Sequence, residues 1–139
     1  MKRKDGMKTK LTILGICLFV VSFFLPAYES LTGYECAEFC ALYTFDLDVG
    51  EFAYYFPFTF SNLAMVIMPI LLLTKYRCAP VPKVIIVTQV ILLLHVLSWL
   101  FVERISLILI GYYVWLLSMI IILFVSIYTR RSSNPVRQS

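Results

Sequence analysis

The chain has 139 residues, of which 61% are hydrophobic and only 14% charged, and its net charge is +4. Soluble domains carry about 25% charged residues, and the apolar side chains here exceed what one small core can bury, which excludes an ordinary soluble domain. The positive charge does not indicate nucleic-acid binding, because no basic helix interleaved with stacking aromatic residues occurs.

Four long segments carry no charged side chain, and each has about 18 to 25 residues. A helix of this length crosses a hydrocarbon layer of about 30 Å. The apolar residues do not alternate with polar ones, as they do in the strands of a membrane barrel. The sequence therefore predicts a single domain, an all-α membrane protein with four transmembrane helices at residues 11–28, 54–75, 83–102 and 105–129.

The first of these segments follows a basic start, which is also a feature of secretory signal peptides. No small-residue cleavage site follows residues 24–28. We therefore expect this segment to remain in the protein as its first membrane helix.

Charged residues are distributed unequally between the two ends of these helices. Eleven of the twelve Lys and Arg residues precede the first helix, separate the second from the third, or follow the fourth. Seven of the eight Asp and Glu residues lie in the other two connections. Because basic residues mark the cytoplasmic side, we predict that both termini are cytoplasmic, in a bacterial inner membrane. Residues 29–51 then form a periplasmic loop, and residues 130–139 a flexible cytoplasmic tail.

The predicted periplasmic loop contains Cys36 and Cys40, within a segment from Gly33 to Tyr43 that is typical of a short interfacial helix. The periplasm permits disulfides, but helical residues four apart have Cα atoms about 6 Å apart, near the upper limit for a disulfide. The pair can instead be two free thiols packed on an apolar face. A metal site needs more ligands than these two, and redox catalysis is the remaining interpretation.

Four polar residues within the membrane helices fall at a similar depth, about 10 Å from the periplasmic surface. They are Ser22, Asn62, His95 and Tyr112. Polar groups at this depth usually face other helices, so we predict a buried polar layer. It is interpreted as a hydrogen-bonded packing contact, as a proton- or voltage-responsive switch centred on His95, or as the lining of a pore in an oligomer.

The sequence has no motif that indicates catalysis. It lacks a nucleophile elbow, an H-E-x-x-H motif and a phosphate-binding loop, and it contains one histidine. The parts outside the membrane helices are too short to fold as a catalytic domain. We therefore expect a protein that is not an enzyme and that binds no cofactor or metal.

These features favour a non-enzymatic inner-membrane subunit, a homo-oligomeric scaffold or sensor in the lipid bilayer that engages a cytosolic partner. Its predicted contacts with an acidic patch on that partner are Lys75, Arg77, Lys83, Arg130 and Arg131. Direct contact with nucleic acid is not expected. One alternative is an immunity protein against a pore-forming toxin, and another is a small channel or carrier formed by an oligomer.

Residues 25–28 (Leu-Pro-Ala-Tyr), followed by residues 33–37 (Gly-Tyr-Glu-Cys-Ala) and by Asn62, resemble a group of small uncharacterised four-span bacterial inner-membrane proteins. This resemblance covers about the first half of the chain and implies no functional residues. In size and topology the chain is also similar to the membrane subunit of the Kiwa antiphage system. That resemblance implies a sensor in the inner membrane that holds a cytosolic DNA-binding effector.

Overall fold

A computed structural model describes residues 2–45, 49–77, 79–102 and 107–132. Within these residues the chain forms five α-helices, a two-stranded antiparallel ribbon and one turn of 3-10 helix. In chain order the elements are α1 (Lys2–Phe24), β1 (Pro26–Tyr28), β2 (Leu31–Thr32), α2 (Gly33–Thr44), α3 (Val49–Leu73), the 3-10 turn (Lys75–Arg77), α4 (Lys83–Val102) and α5 (Ile110–Ser132).

Four of the helices are long and apolar enough to cross a membrane. These spans are Gly6–Phe24, Phe52–Leu73, Lys83–Phe101 and Ile110–Ser132. They confirm the prediction of a mostly helical, multi-pass membrane protein. The fifth helix, α2, occupies the segment in which a short interfacial helix was expected.

The first membrane helix has different bounds from those expected. It begins at Lys2 and ends at Phe24, whereas residues 11–28 were predicted to be helical. Pro26 cannot donate a backbone hydrogen bond and disfavours helical geometry in Leu25, so the helix stops and β1 begins.

The last membrane helix is also displaced, and it spans Ile110–Ser132 rather than 105–129. Residues 107–109 are used for pairing with the segment after α1. The Glu29 amide donates to Leu107 O at 2.8 Å, and the Leu109 amide donates to Ala27 O at 2.9 Å. The start of the predicted tail, residues 130–132, is helical, and residues 133–139 lie outside the described part of the chain.

The ribbon joins three chain segments at one end of the bundle. Strand β1 pairs antiparallel with β2, with Pro26 opposite Thr32 and Tyr28 opposite Leu31. On its other side, Tyr28 forms a bridge with Ile108. The chain turns between the strands at Glu29, whose φ of 49° is left-handed. The connection after α1 is therefore hydrogen-bonded to the residues that precede α2 and to those that precede α5.

Helices α1 and α5 share the most extensive helix–helix contact. Gly15 allows their close approach, because a Cβ there would lie 2.8 Å from Ile122 Cδ1. Fully buried apolar side chains from α3, α4, α5 and the connector between α3 and α4 (residues 74–82) fill the interior beside this contact. They include Leu72, Val81, Val96 and Val125. Helix α4 is the least buried of the four spans and α5 the most buried.

Candidate functional site

A cavity of about 60 Å³ lies beneath α2 and the ribbon, and we call it the capped cavity. This volume has room for about four water molecules. Its walls come from all five helices and β1, and most of them are apolar or aromatic, as in many small-ligand sites. They are formed by Ser22, Phe23, Ala27, Tyr28, Gly33, Cys36, Ala37, Cys40, Phe58, Asn62, Trp99, Gly111, Tyr112 and Trp115.

The end of the bundle that bears this cavity is its acidic end, which carries exposed Glu29, Glu35 and Glu38. The opposite end is the basic end. It carries Lys8, Lys10, Lys75, Lys83, Arg130 and Arg131. These two names refer to the two ends of the four long helices.

Helix α2 forms the roof of the capped cavity, and a capping box holds its first turn. Glu35 Oε2 accepts hydrogen bonds from the Thr32 amide at 2.7 Å and from the Thr32 hydroxyl at 2.8 Å. The Glu35 amide donates back to Thr32 Oγ1. The bonds from the Thr32 backbone and side chain hold the pKa of the Glu35 carboxyl below its ordinary value. The ionised carboxylate therefore stabilises this helix start.

Two glycines permit close approach beside the capped cavity, Gly33 between α2 and α1, and Gly111 between α5 and the chain that leaves α1. A Cβ on Gly33 would lie 2.2 Å from the Ser22 carbonyl oxygen. A Cβ on Gly111 would lie 2.8 Å from the carbonyl oxygens of both Leu25 and Pro26. Because these neighbours are backbone atoms, a side chain at either position would displace the cap.

Three of the four residues predicted to form a polar layer line the capped cavity, but they do not hydrogen-bond to one another. Ser22 Oγ donates to Phe19 O of its own helix at 2.6 Å. The Tyr112 hydroxyl donates to Val96 O and so ties α5 to α4. The side-chain amide of Asn62 has no hydrogen-bond partner within the described residues. The layer is thus a set of cavity walls instead of a connected network.

His95, the fourth predicted member, lies outside the cavity wall. Its Nε2 is 3.3 Å from Tyr54 O, a pairing in which the ring nitrogen donates. The ring packs edge-on against Phe58, with centroids 5.2 Å apart. His95 therefore belongs to an aromatic cluster between α3 and α4, which it shares with Tyr54 and Trp99.

The two tryptophans of the chain were not singled out in the sequence, yet both line the capped cavity. Phe58 packs between them, with ring centroids 4.6 Å from Trp99 and 6.1 Å from Trp115. Each indole Nε1 is enclosed and has no hydrogen-bond acceptor in the described part of the structure. For Trp99 the available signal was its place near the end of the predicted segment 83–102, where amphipathic rings are enriched. Trp115 lies near the middle of the predicted segment 105–129, so it carries no such signal.

Cys36 and Cys40 are free thiols that line the same cavity, with Cys40 buried and Cys36 half-buried. Burial raises the pKa of Cys36 above its ordinary value and that of Cys40 to about 12. Since the thiolate is the nucleophile and the metal ligand, both groups are weakly reactive near neutral pH. The two thiols serve as apolar side chains that line the cavity from α2. Among the described residues, no three His, Cys, Asp or Glu side chains come together as a metal site.

At the basic end, α1 and α5 each contribute one cation that holds the connector between α3 and α4. Lys8 Nζ donates to Tyr76 O at 3.3 Å. Arg130 Nη1 donates to Val81 O at 2.9 Å. Arg130, predicted as a partner contact, therefore has an internal role.

Three other predicted partner contacts are exposed at this end, namely Lys75, Lys83 and Arg131. Lys75 Nζ lies 5.7 Å from the ring centroid of Tyr76. The side chain of Arg77 lies outside the described part of the structure. The two bonds to the connector bring the three basic segments of the sequence to one surface.

Comparisons with protein-family models, with curated proteins and with solved structures find no match to this chain.

Proposed function

We propose that the chain is a non-enzymatic inner-membrane subunit that forms a homo-oligomer and engages a cytosolic partner through its basic end. The observation that carries this proposal is the convergence of the three basic segments. Lys8 and Arg130 are used within the fold, and Lys75, Lys83 and Arg131 remain exposed on the same surface. An acidic patch on a soluble protein is complementary to these side chains.

A sensing role is supported by the way α1 and α5 connect the two ends. At the acidic end, the Gly33 amide donates to Leu25 O at 2.9 Å, directly after α1. At the basic end, Lys8 and Arg130 hold the connector. A disturbance that moves α2 over the capped cavity then shifts α1 against α5, and the shift reaches the connector beside Lys75 and Lys83. The pair of helices α1 and α5 therefore links a site where a signal can act with a site where a partner can bind.

The interior of one copy favours a scaffold or sensor over a single-copy channel. Leu72, Val96 and Ile122 are each at most 2% exposed and occupy the space between the long helices. A conducting path would have to lie between copies. The resemblance to the Kiwa membrane subunit would place the proposed pair in antiphage defence, with a soluble effector as the partner.

The test is affinity purification of the full chain from native-like cells in mild detergent, followed by native mass spectrometry. We expect a homo-oligomer with a stoichiometric soluble protein that is released by salt. The double variant Lys83→Glu with Arg131→Glu should lose the partner and keep the oligomer. The control, Glu29→Gln with Glu38→Gln, changes two exposed charges at the other end and should keep both.

A monomer with no partner after crosslinking would contradict the proposal. Protection of cells from a pore-forming toxin by this chain alone would then favour the immunity function. Ion flux through liposomes that contain only this chain would favour a channel or carrier.

A further inference from the structure

A groove of about 300 Å³ runs between α3 and α4, and we call it the α3–α4 groove. Apart from Thr88 and Gln89, its walls are apolar. They are formed by Phe60, Leu63, Ala64, Ile67, Met68, Leu71, Val84, Ile85, Thr88, Gln89 and Leu92. Except for Phe60 near the middle of α3, these residues belong to the halves of α3 and α4 that lie toward the basic end, so in a membrane the groove opens to the lipid of that leaflet.

Two exposed lysines flank the basic end of the α3–α4 groove. Lys75 follows Leu71, the last α3 residue in the groove wall, by four residues. Lys83 directly precedes Val84, the first α4 residue in the wall. The apolar α3–α4 groove therefore ends near two exposed lysines at the membrane surface.

Gln89 places an amide deep in the same wall. It lies six residues beyond Lys83, which is about 9 Å along a helix. Its Oε1 is enclosed without a hydrogen-bond donor among the described residues. Amides at such depth are costly when they face hydrocarbon alone. The side-chain nitrogen of Gln89 is a hydrogen-bond donor at this depth of the groove wall.

We propose that the α3–α4 groove binds one anionic phospholipid, with an acyl chain along the groove and its phosphate at Lys75 and Lys83. The apolar walls match the acyl chain, and the two lysines match the negative charge of the phosphate. A second copy seated on the groove by two-fold symmetry would instead bring its own lysines against Lys75 and Lys83. This proposal does not rest on the proposed cytosolic partner.

The test is native mass spectrometry of the purified full chain with equimolar phosphatidylglycerol and phosphatidylcholine. We expect bound phosphatidylglycerol to exceed phosphatidylcholine. In the variant Lys75→Gln with Lys83→Gln, the ratio of bound phosphatidylglycerol to bound phosphatidylcholine should fall about 30-fold, because each lysine contributes a roughly fivefold preference. The charge-matched control, Lys10→Gln with Arg131→Gln, removes two exposed cations of the same end and should reduce the preference much less, because neither residue belongs to α3, α4 or the chain between them.

A second pair of variants tests the groove itself. Ile67 and Ile70 are both exposed on α3, but only Ile67 lines the groove. Ile67→Trp should fill the groove and reduce retention of both lipids, whereas Ile70→Trp should not. An equal loss of preference in the charge-matched control would overturn the proposal, because the attraction would then be diffuse. So would an Ile67→Trp protein that binds lipid normally but no longer forms the oligomer, because the groove would then belong to a second copy.

Discussion

At the scale of single residues, Gly111 determines how closely α5 approaches the chain that leaves α1. A Cβ at this position would meet two backbone carbonyl oxygens, whereas a Cβ at Gly6 would meet no atom within 4 Å. We predict that Gly111→Ala lowers the free energy of unfolding by about 1–3 kcal/mol, because backbone must move. Gly6→Ala should leave it unchanged or slightly higher. Thermal unfolding in detergent measures both, and equal midpoints would contradict this role for Gly111.

Cys40 gives a second prediction at this scale, because burial raises its pKa to about 12. Near pH 7 we expect a maleimide to label Cys40 at least about 100-fold more slowly in the folded protein than in the unfolded chain. Peptide mass mapping after timed labelling measures this ratio. Rapid labelling in the folded state, or a disulfide between Cys36 and Cys40 in the purified protein, would contradict the free, buried thiol.

At the scale of elements, the start of α2 depends on pH through Glu35. The pKa of this carboxyl is lowered in the folded state, so ionisation stabilises the capping box above the unfolded pKa of about 4.5. The stabilisation is lost as the pH falls through the lowered folded value. We predict that hydrogen-exchange protection of residues 33–36 decreases over this acidic range. In Glu35→Gln the protection should be independent of pH there, and the same acid response in that variant would refute the role of Glu35.

The connector between α3 and α4 is the second element whose stability can be tested. Arg130→Met removes the donor to Val81 O, which costs about 1.5 kcal/mol for a charged hydrogen bond. We expect about tenfold faster tryptic cleavage after Lys75 and Arg77, measured by timed proteolysis. Arg131→Met, a change at an exposed neighbour, is the control. Identical cleavage of the two variants would show that Arg130 does not hold the connector.

Local features of the sequence predict that the helices exist. They do not predict the ribbon or the residue at which α5 begins. Segments without charge determine where four long helices can form, and capping residues around Thr32 indicate α2. The ribbon depends on pairing between residues 27–29 and 107–109, which are remote in sequence, so no local pattern predicts it. The shift of the α5 start has the same origin.

The sequence predicted how deep the residues of the candidate site lie in the membrane, but not which way their side chains face. Counting 1.5 Å per residue placed Ser22, Asn62 and Tyr112 at one level, and all three line the capped cavity. His95 has a similar depth but turns toward Tyr54, because depth does not determine the rotation of a helix about its axis. The apolar residues of α4 are spread around the whole helix, so they do not indicate which side faces protein.

At the scale of the whole molecule, the two ends of the bundle have opposite charge and different construction. The acidic end is closed by a short helix and a ribbon over the capped cavity. The basic end presents Lys75, Lys83 and Arg131 around a connector held by α1 and α5. In the proposed orientation the cap faces the periplasm, and the cations face the cytosol and the lipid surface beside it.

The most direct test of the central proposal is site-specific photocrosslinking in living cells, with a photoreactive amino acid at position 83 or position 38. Lys83 and Glu38 are both exposed and lie at opposite ends of the bundle. We predict that the probe at position 83 forms an adduct with a soluble cytosolic protein, that Arg131→Glu weakens this adduct, and that the probe at position 38 does not form it. The same soluble protein captured from position 38, or no protein adduct at position 83, would contradict a basic end that engages a cytosolic partner.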